Sequence, residues 1–434
     1  MGIPRFSERQ LLSFILLATF LLHLPALFTY PNYVHDEVYF AEFAKNLAYG
    51  NGTIFDVHPY LQKDITAASI LLFGNNPVGW RLPNMLAHVF LVWAVFLLAK
   101  ELFQGDSRRH AQRRGGWQEK GKNFWFSFFP TIHNPLPLVA ATLTATETML
   151  FTLGTFAMID IWAPLFIVLS WLFVLRLLRD VSGRNVLLAA LSIGLAAASK
   201  WPAVPLAAIA ALAFFSIARR YRPVKVAIIF LAIASLAYLA SFIPMAARGN
   251  NPVIWHQQAL NYHLTLNATH PYFSHPWTWP FNLRPVWFAY EGGEGWVKGV
   301  LAVGNIVVFW PLIPAALFTL VYSLWERRKH SLLFSWKQRT QKEKKWMVLL
   351  AASVLLFWLM FFPLRATTAY NIAPVLPLGI ILITGLLGQL NRKWLTFGYV
   401  AAAVAFFLFF YPLLTGIVIP DWFYRWHIWL PGWI

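Results

Sequence analysis

Residues 10–37 read QLLSFILLATFLLHLPALFTYPNYVHDE. The run from residue 10 to 30 is apolar and, at about 1.5 Å per residue, long enough to cross a hydrocarbon core of about 30 Å. It ends against His35-Asp36-Glu37. The run is too long for the apolar stretch of a cleavable signal and no small-residue cleavage site follows it, so we expect it to remain as an anchor. Adjacent acids at a membrane face are costly unless they are paired or put to use.

The rest of the chain follows the same pattern. It has 434 residues, 59% of them hydrophobic and 12% charged, about half the charged fraction of a water-soluble domain. That composition excludes a soluble enzyme and a disordered protein. With no cysteine there is no disulfide scaffold and no thiolate chemistry. Apolar runs predict spans at about 10–30, 82–103, 135–154, 160–178, 185–199, 201–218, 224–246, 297–324, 346–363, 371–390 and 394–417. The expectation is therefore an all-α polytopic membrane protein, one domain over 1–434, with about 11 transmembrane helices.

With the N-terminus in the cytoplasm and loops on alternate sides, 26 of the 35 Lys and Arg fall inside and 9 outside. The positive-inside rule sets this orientation. The net charge of +18 is accounted for by orientation and by attraction to an anionic lipid bilayer, so no nucleic-acid partner is expected. The basic loops at about 104–123 and 325–345 read as solvated cytoplasmic faces. Two outer loops are long, about 31–81 and 247–296. Short interfacial helices are expected in the first, at 38–49 and 64–73. The second is rich in Trp, Tyr, Pro and His, a composition that suits an interfacial aromatic belt and sugar stacking equally.

Asp36 and Glu37 leave two readings open: a general base and its neighbour at a partly desolvated face, or an N-cap with a first-turn acid. Asp56 and His58 lie in the same loop, Asp160 at the outer mouth of the fourth span, and Glu147 within the third. Capping and interhelical hydrogen bonding are the structural alternatives for the last two. Outer-side cations, Lys200, Arg284 and Arg365, run against the positive-inside bias. They suit a lipid phosphate, and also plain snorkelling to headgroups. Acids and cations on one face fit transfer from a polyprenyl-phosphate sugar, where a base takes a hydroxyl proton and cations hold the departing phosphate. No metal motif is evident and no cofactor is expected.

These residues resemble a known family. Asp36-Glu37-Val38-Tyr39-Phe40 and Phe55-Asp56-Val57-His58-Pro59 with Lys63 are similar to the DEVHFG and FDVHPPxGK of the protein O-mannosyltransferases. Gly79-Trp80-Arg81-Leu82-Pro83, Ala157-Met158-Ile159-Asp160 (family RIAMLD) and Lys200-Trp201 (family KWTG) follow in order. The run HPYFSHPWTWPFNLRPVWF at 270–288 resembles HPYxSPWWxWPLxLRPVWF, and Gly304-Asn305 and residues 371–377 resemble later markers.

The resemblance implies a C-type (GT-C) glycosyltransferase fold and an inverting, metal-independent enzyme of a prokaryotic plasma (inner) membrane. It implies transfer of a sugar, mannose by family, from a polyprenyl-phosphate donor to Ser or Thr of a protein acceptor on the outer, periplasmic side. Asp36 and Glu37 are then catalytic, and Lys200, Arg284, Arg365 and Lys63 hold the donor phosphate. Asp56, His58, Glu147, Asp160, His270 and Trp279 shape the site. The chain departs from the pattern at Thr155, which stands where the family has Arg, and at Asn371, where it has His. The same chemistry with a glycolipid acceptor, as in the related aminoarabinose transferase of lipid A, is the alternative. A transporter fits less well, because the polar residues collect at outer mouths rather than at midplane breaks.

Overall fold

The computed structural model describes residues 6–52, 54–104, 134–177, 179–180, 182–218, 223–266, 271–326, 341–364, 367–390 and 392–433. Nearly all of both basic loops lies outside these residues, as do Arg365 and His270.

Hydropathy and length dictate most of the architecture. Helix α1 (Glu8–His23) is started by the Ser7/Gln10 capping box and continues into the single turn α2 (Ala26–Thr29). Two short helices follow in the first long loop, α3 (Glu37–Tyr49) and α4 (Leu61–Phe73), close to the expected pair at 38–49 and 64–73. Next come α5 (Pro77–Gln104), the bent pair α6 (Leu136–Ala145) and α7 (Thr148–Thr155), and α8 (Trp162–Leu177). Helices α9 (Gly183–Ser199), α10 (Val204–Ala218) and α11 (Pro223–Ala240) lead to α12 (Ile243–Ala247) and α13 (Pro252–Thr265) in the second outer loop. The last long helices are α14 (Ile306–Glu326), α15 (Gln341–Leu359), α16 (Leu376–Leu390) and α17 (Lys393–Thr415), before the short α18 (Asp421–Arg425).

Among the described residues, six helical segments are long and apolar enough to cross a membrane, and the bent pair α6–α7 makes up to seven. The bend, 57°, falls at Glu147. Helices α8, α9 and α11 pack side by side, α5 packs on α6 and α8, and α14 packs on α15 and α16. Gly194 permits a close approach of α9 to α11. A Cβ there would lie 2.2 Å from the Ala234 carbonyl oxygen, the small-residue contact by which membrane helices approach closely.

The all-α expectation is corrected at one place. Residues 286–302 form a hairpin, β1 (Val286–Gly293) and β2 (Trp296–Ala302), joined through Glu294-Gly295, with Gly295 at φ +77°. A two-residue β3 (Ile419–Pro420) completes an antiparallel sheet of order β1-β2-β3. The expected span at 297–324 therefore begins as a strand, and its helix starts only at Ile306. The apolar sequence of β2 is satisfied by packing on α17 rather than by lipid. A β-bulge between Trp287 and Ala289 leaves Phe288 as the extra residue of β1.

Candidate active site

The start of α3, the start of α8, the end of α9 and the 3₁₀ turn 369–375 meet around Tyr370. Asp36 occupies the N-cap position of α3, yet its carboxylate makes no capping bond. His35 before it has φ +46°, a left-handed conformation uncommon for a side-chain-bearing residue. Its Nε2 lies 3.6 Å from Asp36 Oδ2. The ring stacks on Phe288 at 4.5 Å and meets Tyr370 edge-on at 6.2 Å. On the other side, Lys200 Nζ lies 5.8 Å from the Tyr370 ring centre and donates to Asp160 Oδ1 at 2.6 Å. The 3₁₀ turn Ile159–Ile161 packs directly on the Tyr370 turn. Asn371 builds that turn: Thr368 N–H donates to its Oδ1 at 2.8 Å, within a capping box.

A second cluster adjoins the first. Lys63, fully buried, donates to Asp56 Oδ2 (2.5 Å) and to the carbonyls of His58 (2.9 Å) and Pro59 (3.0 Å). Burial pushes the Asp56 carboxyl up, but Lys63 and His58 outweigh it and hold the group below its ordinary range. Burial lowers His58 to about 3; Asp56 opposes this, and Lys200, Lys63 and His263 reinforce it. His58 is thus a neutral imidazole, 5.7 Å from the ring of His263, which lies 5.7 Å from that of Trp201.

Glu37 is also fully buried. Arg81 Nε and Nη2 grip its two oxygens at 2.9 and 2.7 Å, and the N–H groups of Ala157 and Val34 add bonds of 2.8 and 3.0 Å. Arg81 further donates to the carbonyls of Ala26, Tyr30 and Asn32. Both groups are spent within the protein. In this geometry each Glu37 oxygen accepts two hydrogen bonds, and the carboxylate ties the segment around Asp36 to Arg81 and Ala157. Lys63 is similarly engaged: its three donors are met by Asp56 and by the His58 and Pro59 carbonyls, which ties the loop together.

Of the other expected residues, Glu147, Trp279 and Arg284 are described, each with its own partners. Glu147 is the N-cap of α7, accepting from Leu150 N–H at 2.7 Å and from Asn305 N–H at 2.9 Å. It holds the broken helix to the start of α14. Trp279 is buried, with its N–H on Ser274. It supports the loop, which Ser274 ties to Thr367 through two bonds. Arg284 is exposed and donates to the Pro271 carbonyl at 2.6 Å. Thr155, at the family's Arg position, is buried and bonded to His23 Nδ1 at 2.7 Å; His23 Nε2 lies 3.0 Å from His88 Nδ1.

An apolar groove of about 560 Å³ opens beside Lys200, lined by Ala197, Trp201, Val204, Pro205 and Tyr238. Chemically, the site thus combines a partly exposed carboxylate and an ammonium tethered by one carboxylate, with an apolar groove at the neighbouring Trp201.

No family model matches the chain. A "Polyprenol-phosphate-mannose--protein mannosyltransferase" of Mycobacterium tuberculosis (strain ATCC 25618 / H37Rv) is 26% identical over 87% of this chain and 81% of its own. One of the same name from Mycolicibacterium smegmatis (strain ATCC 700084 / mc(2)155) is 24% identical over 92% and 87%. The chain is a homologue of the protein mannosyltransferases. Among solved structures, the Saccharomyces cerevisiae protein O-mannosyltransferase Pmt1-Pmt2 complex bound to the sugar donor aligns with TM-score 0.73 and 14% identity, covering 99% of this chain and 93% of that one. ArnT from Cupriavidus metallidurans bound to undecaprenyl phosphate aligns with TM-score 0.56 and 12% identity, over 94% and 77%. The fold is that of the C-type glycosyltransferases.

Motif reading located Asp36, Asp160 and Lys200 but missed what joins them. Tyr370 carries no sequence signal of its own. Arg81 stood in a matched motif, and its charge on the outer side was the available clue to a buried partner for Glu37. His35 was visible only as the neighbour of Asp36.

Proposed function

We propose that this chain is an inverting glycosyltransferase that moves a sugar from a polyprenyl-phosphate carrier to a Ser or Thr hydroxyl of a protein. The homologues' names make the sugar mannose. One observation carries the reading: Asp36, beside His35, and the Asp160–Lys200 pair are both gathered near Tyr370, and an apolar groove opens at Trp201, the chain neighbour of Lys200. The polyprenyl chain lies along the groove and its phosphate meets Lys200. Asp36 takes the proton of the acceptor hydroxyl as its oxygen bonds to the anomeric carbon. The bond from that carbon to the phosphate oxygen breaks on the opposite face, its electron pair leaving with the phosphate, and configuration inverts. From the resemblance we also assign Arg284 and Arg365 to the carrier phosphate, and Asp56, His58 and His270 to shaping the site. The reading requires no metal and no other cofactor.

The chain crosses a prokaryotic plasma membrane about eleven times, with its N-terminus in the cytoplasm and the Tyr370 cluster outside. The charge asymmetry of the loops supports that orientation. The likeness to ArnT supports the same chemistry on a glycolipid hydroxyl, but the homologues along most of the chain favour protein.

The test is transfer of mannose from polyprenyl-phosphate-mannose to a Ser/Thr peptide in proteoliposomes. Asp36→Asn is expected to lower kcat by about 10²–10⁴-fold, the range of general-base catalysis, with unchanged melting temperature. Near-normal turnover of that variant would remove Asp36 as base and the reading with it.

A further inference from the structure

His35 lies outside the residues assigned above, yet its backbone and its ring are both held in place at the site. Its backbone is held at φ +46°, where glycine would sit without strain. The ring is clamped face-on by Phe288 at 4.5 Å with an interplanar angle of 3°, and edge-on by Tyr370. Phe288 is the bulged residue of β1, and a bulge is a device that redirects one side chain. Three elements thus converge to fix one imidazole with Nε2 3.6 Å from Asp36 Oδ2. That distance is an electrostatic contact, longer than a hydrogen bond, and such contacts shorten when substrate closes a site.

We propose that His35 is the positioning residue of the catalytic base. It orients the Asp36 carboxylate and favours its ionised form, whether as a neutral Nε2–H donor or as an imidazolium. This inference rests on Asp36 being the base. The charged and titratable groups around His35 are Asp36 at the start of α3 and Tyr370 on the 3₁₀ turn, with the Lys200–Asp160 pair beyond Tyr370. Phe288 contributes an apolar face only. The proton taken by Asp36 from the hydroxyl is released to water at the exposed side of the carboxylate, which returns it to the ionised form for the next cycle.

The experiment compares Asp36→Asn, His35→Phe and His35→Gly in proteoliposomes. Phenylalanine keeps a planar ring against Phe288 and loses the nitrogens. His35→Phe is expected to keep its melting temperature and its KM for polyprenyl-phosphate-mannose while kcat falls about tenfold or more. The acidic limb of its kcat–pH profile should move to higher pH, because a carboxylate without its partner binds a proton more readily. His35→Gly relieves the backbone and empties the ring slot, so added imidazole should restore turnover in His35→Gly and not in His35→Phe. Wild-type kcat and pH profile in His35→Phe, with Asp36→Asn inactive, would overturn the role of His35 and leave the proposed function standing. An active Asp36→Asn would overturn both.

Discussion

Glu37–Arg81 and Asp160–Lys200 are both buried acid–base pairs, and they are built for different purposes. In Glu37–Arg81 both side chains are fully buried, the guanidinium holds both carboxylate oxygens, and its other donors end on three carbonyls. In Asp160–Lys200, among the described residues, the ammonium makes one hydrogen bond, to a single carboxylate oxygen, and lies over the Tyr370 ring. An ammonium has three donors, so Lys200 can accept an anion without first breaking the scaffold. The lesson is that charge alone does not mark a site. A saturated pair is a rivet, and a pair with donors in reserve is a binding group.

The sharpest way to break this comparison is to remove one partner of the rivet. Arg81→Ala leaves Glu37 buried without a counter-charge, a defect that costs about 3–5 kcal/mol. The expected outcome is little folded protein, or a melting temperature in detergent lowered by many degrees, with transfer lost as a consequence. A variant that melts like the wild type and is merely inactive would place Arg81 in the chemistry and erase the distinction.

The matching change in the other pair should act on function. Lys200→Ala is expected to cost transfer about 10–10²-fold, equivalent to about 1.4–2.7 kcal/mol, with most of the loss in KM for the donor. The melting temperature should fall far less than in Arg81→Ala. Asp160→Asn, which keeps shape and frees the ammonium, should give a smaller loss. Unchanged donor affinity in Lys200→Ala would show that the ammonium does not meet the phosphate.

The same contrast explains what could be read in advance. Spans are legible because twenty apolar residues admit few alternatives in a bilayer. The hairpin was not, because Trp296-Val297-Lys298-Gly299-Val300-Leu301-Ala302 carries the composition of a helix entering the membrane. Its one strand signal was the turn sequence at 292–295, with three glycines among four residues. Asp36, Asp160 and Lys200 stood out as ionisable groups at span ends. The roles of Glu37 and Lys63 did not, since a residue's partners decide whether it is spent or available. Arg81 is 44 positions from Glu37, and the Lys63 acceptors include two backbone carbonyls, which leave no trace in sequence.

Asp64 sharpens the comparison from a third direction, as a carboxyl beside a saturated cation. Lys63 next to it is engaged with Asp56, and Asp64 Oδ1 is buried with no hydrogen-bond partner among the described residues. Burial raises its carboxyl to about 8 from 3.8, with Lys63 opposing only in part. In the unfolded chain the group ionises near 3.8, so between that pH and about 8 the unfolded state gives up a proton that the folded state keeps. Stability from this group therefore declines as pH rises through that window and levels off above it. Asp64→Asn removes the titration while keeping the shape. Its melting temperature should match the wild type near pH 4 and exceed it by a growing margin up to about pH 8. A margin that stays constant with pH would mean that Asp64 ionises normally in the folded protein, and that Lys63 retains charge to share.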